Sequence, residues 1–543
     1  MKQIDASDFG VKSQQDITEN LIKLLSYIKT VDGEKTITFE NGTYYIDSEK
    51  CIKQMLYITN TTGDEEYAKH ETPHLNTIAF YLKDISDLTI DGNNSVFIIE
   101  GKATNIALIN SQNIIIKNLE IRHTHPDMHE LKVVRKSVFS VDFEIDKDSL
   151  YEFQKGKMYF HGKDYRVPAD KDAKFSWWIG LIRKETPDKV KRVTHPLVAK
   201  LKIKDLGNRK IRVFYPNTSR FKIGDCYYIY DVRRQFAGIF IDKSKNVTLQ
   251  NIKQRFNYSL ALVVQDSENL TIESVDFSPE KNSTRKLCSV ADFIQLCMCR
   301  GKMTVKNSYF DGAGDDCLNV HGIHFKITEI KDNKIKVRFM HPQTHGFNPL
   351  RVADEIAFIN PETMLETGRA VIKDSTLLNE QEILLTLENI DKAVVGDVIE
   401  DISACPDLDF INNTSTRIIT RGLLITTRGK VNVENNHFIS TTMSGILLSD
   451  DANNWYESGM CCDVTIKNNT FDYCGETPIL IKPENKNHCG AVHKNIKIIG
   501  NTFNKYDGEA INIKSTDNVY IKDNKFLDDD YLVTKNCTQI RKN

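Results

Sequence analysis

The chain has 543 residues, 40% of them hydrophobic, enough to bury an extended core. Its 72 basic and 74 acidic residues leave a formal charge of −2, so no global field draws it to nucleic acid or to an anionic membrane, and a neutral or weakly charged substrate is expected. No run of about 18 apolar residues occurs, which predicts no membrane-spanning helix.

The first ten residues are polar and lack the apolar core of a secretory signal, which points weakly to the cytoplasm and leaves the periplasm or exterior open if a leader was trimmed. At residues 17–28, apolar Ile17, Leu21, Ile22, Leu24, Leu25 and Ile28 recur at helical spacing, predicting an amphipathic helix that caps the open end of a strand array. The rest of the chain repeats itself. A β-branched run followed by Asn, a variable residue and Phe appears at Val431-Asn-Val-Glu-Asn-Asn-His-Phe438, Val464-Thr-Ile-Lys-Asn-Asn-Thr-Phe471, Ile496-Lys-Ile-Ile-Gly-Asn-Thr-Phe503 and Val519-Tyr-Ile-Lys-Asp-Asn-Lys-Phe526. Earlier copies start at Leu88, Ile114, Val247, Leu270 and Met303. A period of roughly 20–35 residues rich in Val, Ile and Thr predicts a solenoid of short strands. With no helical crossover between most of them, the fold class is all-β, a right-handed parallel β-helix. Asn after the strand suits a left-handed bend, and stacked copies can hydrogen-bond to one another.

The period fails twice. Residues 127–236 hold Trp177, Trp178 and the β-like run Lys210-Ile-Arg-Val-Phe-Tyr215; residues 323–405 hold Lys334-Ile-Lys-Val-Arg-Phe339 and Ile383-Leu-Leu-Thr-Leu387. Turn-like segments, Phe221-Lys-Ile-Gly-Asp225 and Val395-Gly-Asp397, punctuate both. Both read as small antiparallel β-barrels inserted into loops. The division is 1–126 for the cap and first coils, 127–236 for one barrel, 237–322 for the coils carrying the key carboxylates, 323–405 for the second barrel and 406–543 for the last coils. The barrels also offer contact surfaces for a homo-oligomer. The 12 cysteines lack the paired C-x-x-C elements of a zinc ribbon and read as small core residues.

The chemistry concentrates in Gly312-Ala-Gly-Asp-Asp-Cys-Leu-Asn-Val-His-Gly322, directly after a repeat strand. Asp292 stands in Val290-Ala-Asp-Phe-Ile-Gln-Leu296, one short coil before Asp315, so about 4.8 Å separates the two levels. Three crowded carboxylates repel, raising the pKa of at least one, which can then donate a proton while an ionised neighbour activates water. An inverting glycosidase needs that pairing. Grouped carboxylates also bind calcium, so a calcium-dependent polysaccharide lyase with Arg421 or Arg428 as the proton-abstracting group is the rival enzyme, and a glycan-binding β-helix without catalysis is the rival outside enzymes. Trp455, in a polar loop with Asn453, Asn454, Tyr456 and Glu457, reads as a platform for a sugar face. His321, Asn319, Arg421, Asp450, Glu457, Lys482 and Glu484 are candidate hydroxyl binders; no metal or organic cofactor is expected.

These motifs carry a resemblance. The Asp…Asp-Asp…His pattern on a β-helix resembles the polygalacturonase clan. Gly314-Asp-Asp-Cys-Leu-Asn-Val-His-Gly322, Thr420-Arg-Gly-Leu-Leu424 and Ser449-Asp-Asp-Ala-Asn-Asn-Trp-Tyr-Glu-Ser-Gly459 are more similar to glycoside hydrolase family 110, whose members release terminal α-1,3-linked galactose, including the blood-group B determinant. The resemblance spans essentially the whole chain. It implies Asp315 as general acid, Asp292 and Asp316 sharing the general-base role, and a terminal α-galactosyl glycan as substrate. Polygalacturonases carry a Gly-His-Gly motif well downstream of the paired aspartates, whereas His321 follows Asp316 closely here, which argues against a uronate.

Overall fold

The computed structural model describes residues 2–61, 75–170, 177–185, 187–197, 201–231 and 233–542. Helix α1 (Thr18–Ile28) buries Leu21, Leu24, Leu25 and Ile28 in the main core and closes the first coil, as its apolar stripe predicts. Beyond it the chain winds as a parallel β-helix with three strands per coil, for example Lys430–Glu434, His437–Thr441 and Ile446–Leu448, then Asp463–Lys467, Thr470–Cys474 and Ile479–Ile481.

Each coil adds one strand to each sheet in fixed register. Ile106, Ile239, Leu262, Ile294, Leu318, Leu423, Ile446, Ile479 and Ile511 stack as successive parallel partners. The chain leaves this column after Ile106 and after Leu318 for long excursions, yet its neighbours on return pair directly, so neither excursion shifts the register. Buried residues alternate along strands such as Lys430–Glu434 and Asp463–Lys467, and Phe410, Phe438, Phe471, Phe503 and Phe526 form a stacked aromatic file whose successive centroids lie 6.3, 5.2, 5.0 and 5.1 Å apart.

The repeated Asn-Asn pairs divide their labour at one corner. Asn412, Asn435 and Asn468 take the left-handed conformation at φ 57°, 57° and 56°. The residues at the next position, with Asn501 after Gly500 and Asn524 after Asp523 in the last coils, form a largely buried ladder. Asn436 Nδ2 donates to Asn469 Oδ1 (2.9 Å), Asn469 Nδ2 to Asn501 Oδ1 (3.0 Å) and Asn501 Nδ2 to Asn524 Oδ1 (2.9 Å). The same amide nitrogens also cap strand carbonyls, as Asn436 Nδ2 does at Phe410 O (2.7 Å).

The two excursions are antiparallel. The first is a seven-stranded sheet, including Met128–Lys136, Ser140–Ile145, Trp177–Arg183 and Cys226–Asp231, beside a three-stranded one. The two share a core of Leu131, Val133, Phe143, Phe160, Val167, Phe221 and Ile229. The second is a closed six-stranded barrel running from Phe325–Lys331 to Val398–Asp401 around Phe325, Ile335, Val337, Phe358, Ile372 and Leu385. Both use the same turn: Gly224 (φ 92°) and Gly396 (φ 100°) donate their N–H groups back to Val133 O and Ile327 O of the excursion's opening strand.

Candidate active site

The carboxylates gather at the corner leading into the third strand of two adjacent coils. Ile294 pairs with Leu318, so Asp292 lies level with Asp316, one position later than the Asp292–Asp315 match read from sequence spacing. Asp316 N–H donates to Asp292 Oδ1 (3.1 Å) and Phe293 N–H to Asp316 O (3.0 Å), which fixes the two coils together at this point. Gly312 (φ 84°) makes the turn possible: a Cβ there would lie 2.4 Å from Lys286 O. Asp292 and Asp316 are buried, each 2% exposed.

Arginines answer this charge. Arg421, at the same corner one coil on, donates its backbone N–H and its Nε to Asp316 Oδ1, both at 3.0 Å, and Thr420 Oγ1 adds a third donor. Arg234, which returns the first excursion to the solenoid, pairs with Asp315 and donates through Nη1 to Asn60 Oδ1 (3.1 Å). Tyr230 Oη, also from that excursion, reaches Gly314 O at 3.5 Å.

Electrostatics separate the three acids. Burial, reinforced by the charges of Asp315 and Asp316, pushes Asp292 well above the usual carboxylate range. Burial also lifts Asp315, but the guanidinium groups of Arg234, Arg421 and Arg192 outweigh it and hold this carboxyl below its ordinary value. For Asp316 burial prevails over Arg421, and the Asp315 charge adds to the rise. Of the three, Asp292 and Asp316 are thus the more readily protonated and Asp315 the more readily ionised.

One pocket is lined by Asn60, Arg234, Asp292, Asp315, Asp316, Asn319, Arg421, Leu424, Trp455 and Glu457. It thus collects all three aspartates with Asn319, Arg421, Trp455 and Glu457 of the sequence candidates. Asn319 Nδ2 donates to Glu457 Oε1 (3.0 Å), while its buried Oδ1 has no hydrogen-bond partner in the protein. Trp455 is 43% exposed and stacks on His341 at 4.7 Å and 23°. Asp451 builds the loop that carries it, accepting from the N–H groups of Asn453, Asn454 and Trp455 at 2.7, 3.0 and 2.8 Å.

Other candidates lie elsewhere. His321 faces an adjoining cleft with Gln295, His341 and Trp455, its Nε2 3.0 Å from Gln295 Nε2 and 3.8 Å from Glu457. Asp450 is fully buried behind the loop, bonded to His324 Nε2 (2.8 Å) and Gly459 N (3.3 Å); it shapes the Trp455 loop instead of meeting a ligand. Lys482 pairs with Glu484 on an exposed edge, on the coil of Ile479, three levels and about 14 Å along the axis from that of Leu318. Neither Asp450 nor Lys482 joins the pocket. Arg428 is committed to Glu400 and Glu366 of the second barrel, so of the two arginines considered for proton abstraction only Arg421 is at the aspartates. Among the described residues, no group of three or more His, Cys, Asp and Glu side chains is arranged to hold a metal ion. Arg234, Asn60, Arg192 and Tyr230 were missed in the sequence, where nothing marks them as partners of residues so distant in the chain.

Comparison with known proteins places both parts of this architecture. Residues 334–399 match the family model described as GLAA-B beta-barrel domain II, and residues 401–526 the right handed beta helix region. The chain is 32% identical to alpha-1,3-galactosidase A of Bacteroides thetaiotaomicron, over 93% of its own length and 89% of that protein's. It is 31% identical to the protein of the same name from Bacteroides fragilis, covering 91% and 82%. The Akkermansia muciniphila counterpart is 32% identical, covering 91% and 81%.

Proposed function

This chain belongs to the α-1,3-galactosidase family, glycoside hydrolase family 110, and on that footing we propose that it removes terminal α-1,3-linked galactose from glycans, blood-group B or linear, with inversion at the anomeric carbon. The observation that carries the reading is the corner where Asp292, Asp315 and Asp316 share one pocket with an aromatic platform, Trp455, and polar groups suited to sugar hydroxyls. Asp315, on the pocket wall, delivers a proton to the departing glycosidic oxygen. Asp292 and Asp316, stacked one coil apart, take a proton from the water that attacks the opposite face of the anomeric carbon. Trp455 presents the face not covered by His341 to the apolar side of the sugar, and Asn319 and Glu457 accept its hydroxyl hydrogens.

The pairing of Asp315 and Asp316 with arginine also tells against a calcium-dependent lyase, because guanidinium groups already occupy the positions a hard cation would take. Incubation with α-1,3-linked galactobiose, followed by proton NMR, tests the proposal. Early β-galactose supports it; initial α-galactose overturns inversion, and an unsaturated product absorbing in the ultraviolet overturns hydrolysis.

A further inference from the structure

Arg234 lies between the strands Cys226–Asp231 and Ile239–Asp242, where the first excursion rejoins the solenoid. Its side chain is 11% exposed and that of its partner Asp315 17%, so the ion pair forms the wall of the pocket out of bulk water. A carboxylate held against a buried guanidinium is an anion, yet Asp315 is the residue assigned to give up a proton. Both can hold only if the pair is a feature of the free enzyme and opens during the cycle. Sugar hydroxyls are the natural competitor: Arg234 lines the same pocket, and its second contact, Asn60 Oδ1, is a neutral acceptor of the same kind as a hydroxyl oxygen.

We propose that Arg234 is a positioning residue that acts through Asp315, keeping that carboxylate ionised until galactose enters and takes up its donors, whereupon the proton on Asp292 passes to Asp315. The inference rests on Asp315 being the general acid. The exchange balances: the Asp292 carboxyl becomes the carboxylate that activates water, the Asp315 carboxylate becomes the acid, and no proton enters or leaves. The groups facing Asp315 are Arg234, Arg192, Arg421, Tyr230, Asp292 and Asp316. Of the arginines, Arg421 bonds Asp316 and Arg234 bonds Asp315 itself, so the Arg234 contact is the one to alter.

The test is the pH dependence of kcat/KM on α-1,3-galactobiose for Arg234→Gln and Arg234→Lys, with folding checked by circular dichroism. Loss of the charge lets the carboxyl trio take up an extra proton more readily. The acid limb of the Gln variant therefore moves up by about 1–3 pH units, the scale of one close opposite charge. The Lys variant keeps its limb near that of the wild type. An unmoved limb with uniformly lower activity would assign Arg234 a purely structural role and overturn the proposal. Asp315→Asn, assayed on the disaccharide and on α-galactosyl fluoride, separates this from failure of the underlying reading. Fluoride departs with little proton donation, so the variant spares fluoride hydrolysis if Asp315 is the acid. Equal losses on both substrates would remove Asp315 from that role and the proposal with it.

Discussion

The asparagine ladder and the aspartate corner are the same construction with opposite outcomes. In both, the solenoid stacks like side chains on neighbouring coils, about 4.8 Å apart. An amide can donate to the copy on one side and accept from the copy on the other, so Asn436, Asn469, Asn501 and Asn524 bond one another and spend their remaining capacity on neighbouring backbone. A carboxylate only accepts. Asp292 and Asp316 repel and must draw their donors from other segments: the backbone of Asp316 itself, Thr420, Arg421 and, for Asp315, Arg234. A repeat thus yields stability where its side chain is self-complementary and reactivity where it is not. The donating amide nitrogen of Asn, replaced in Asp by a second accepting oxygen, marks the difference.

The largest effect is expected from breaking the ladder with the chemistry of the corner. Asn436→Asp deletes the donor to Phe410 O and Asn469 Oδ1 and sets a charge beside two acceptors, at a cost of about 4 kcal/mol. Denaturant unfolding measures it; an unchanged midpoint would mean the ladder amides contribute nothing. The converse change, Asp315→Asn, should keep the fold, lower the midpoint because Arg234 loses its buried counter-charge, and lower turnover on α-1,3-galactobiose by at least about 10²-fold. Asp292→Asn sharpens the contrast further. A carboxyl whose folded pKa is raised stabilises most below its unfolded value of about 3.9 and loses that contribution as pH climbs through the folded value. The variant, which has no proton to lose, should therefore melt above the wild type at pH 7, and the gap should close as pH falls toward 4. A gap that widens in acid would reverse the sign of the Asp292 shift. The smallest effect is expected outside the carboxylates: Trp455→Ala should raise KM by about 5-fold, near 1 kcal/mol of lost stacking, with kcat within a factor of about two.

The coil was legible because its rules are local. Alternating Val-Thr-Ile runs, Asn pairs and recurrent Phe residues each state their burial and turn preference in a few residues, and the observed strands Asp463–Lys467 and Thr470–Cys474 obey them. The proximity of Asp292 to the Asp315-Asp316 pair was legible for the same reason, since one short coil separates them. The exact level was not: corner residues do not count in the strand register, so Asp292 aligns with Asp316. Arg234 and Asn60 were out of reach because their partners are set by how the first excursion and the 56–61 loop fold back over the corner. Asn60 N–H donates to Gln343 O (2.8 Å) in the second barrel, a contact no local pattern encodes. Lys482 and Asp450 misled because they share a sequence neighbourhood with Trp455, while three levels of the solenoid or a buried bond to His324 keep them away.

The undisturbed column at Ile106–Ile239 and Leu318–Leu423 has a kinetic meaning. Coils of the C-terminal half close loops of a few tens of residues. The two junctions must each close about a hundred, an entropic surcharge of roughly 1 kcal/mol, and they wait on the excursions to collapse first. Asp315, Arg234 and Arg421 come from segments joined by those same junctions, so the aspartate corner is expected to assemble late. In refolding, recovery of galactosidase activity should lag behind recovery of the β-sheet signal, and the lag should vanish if the excursions are already folded.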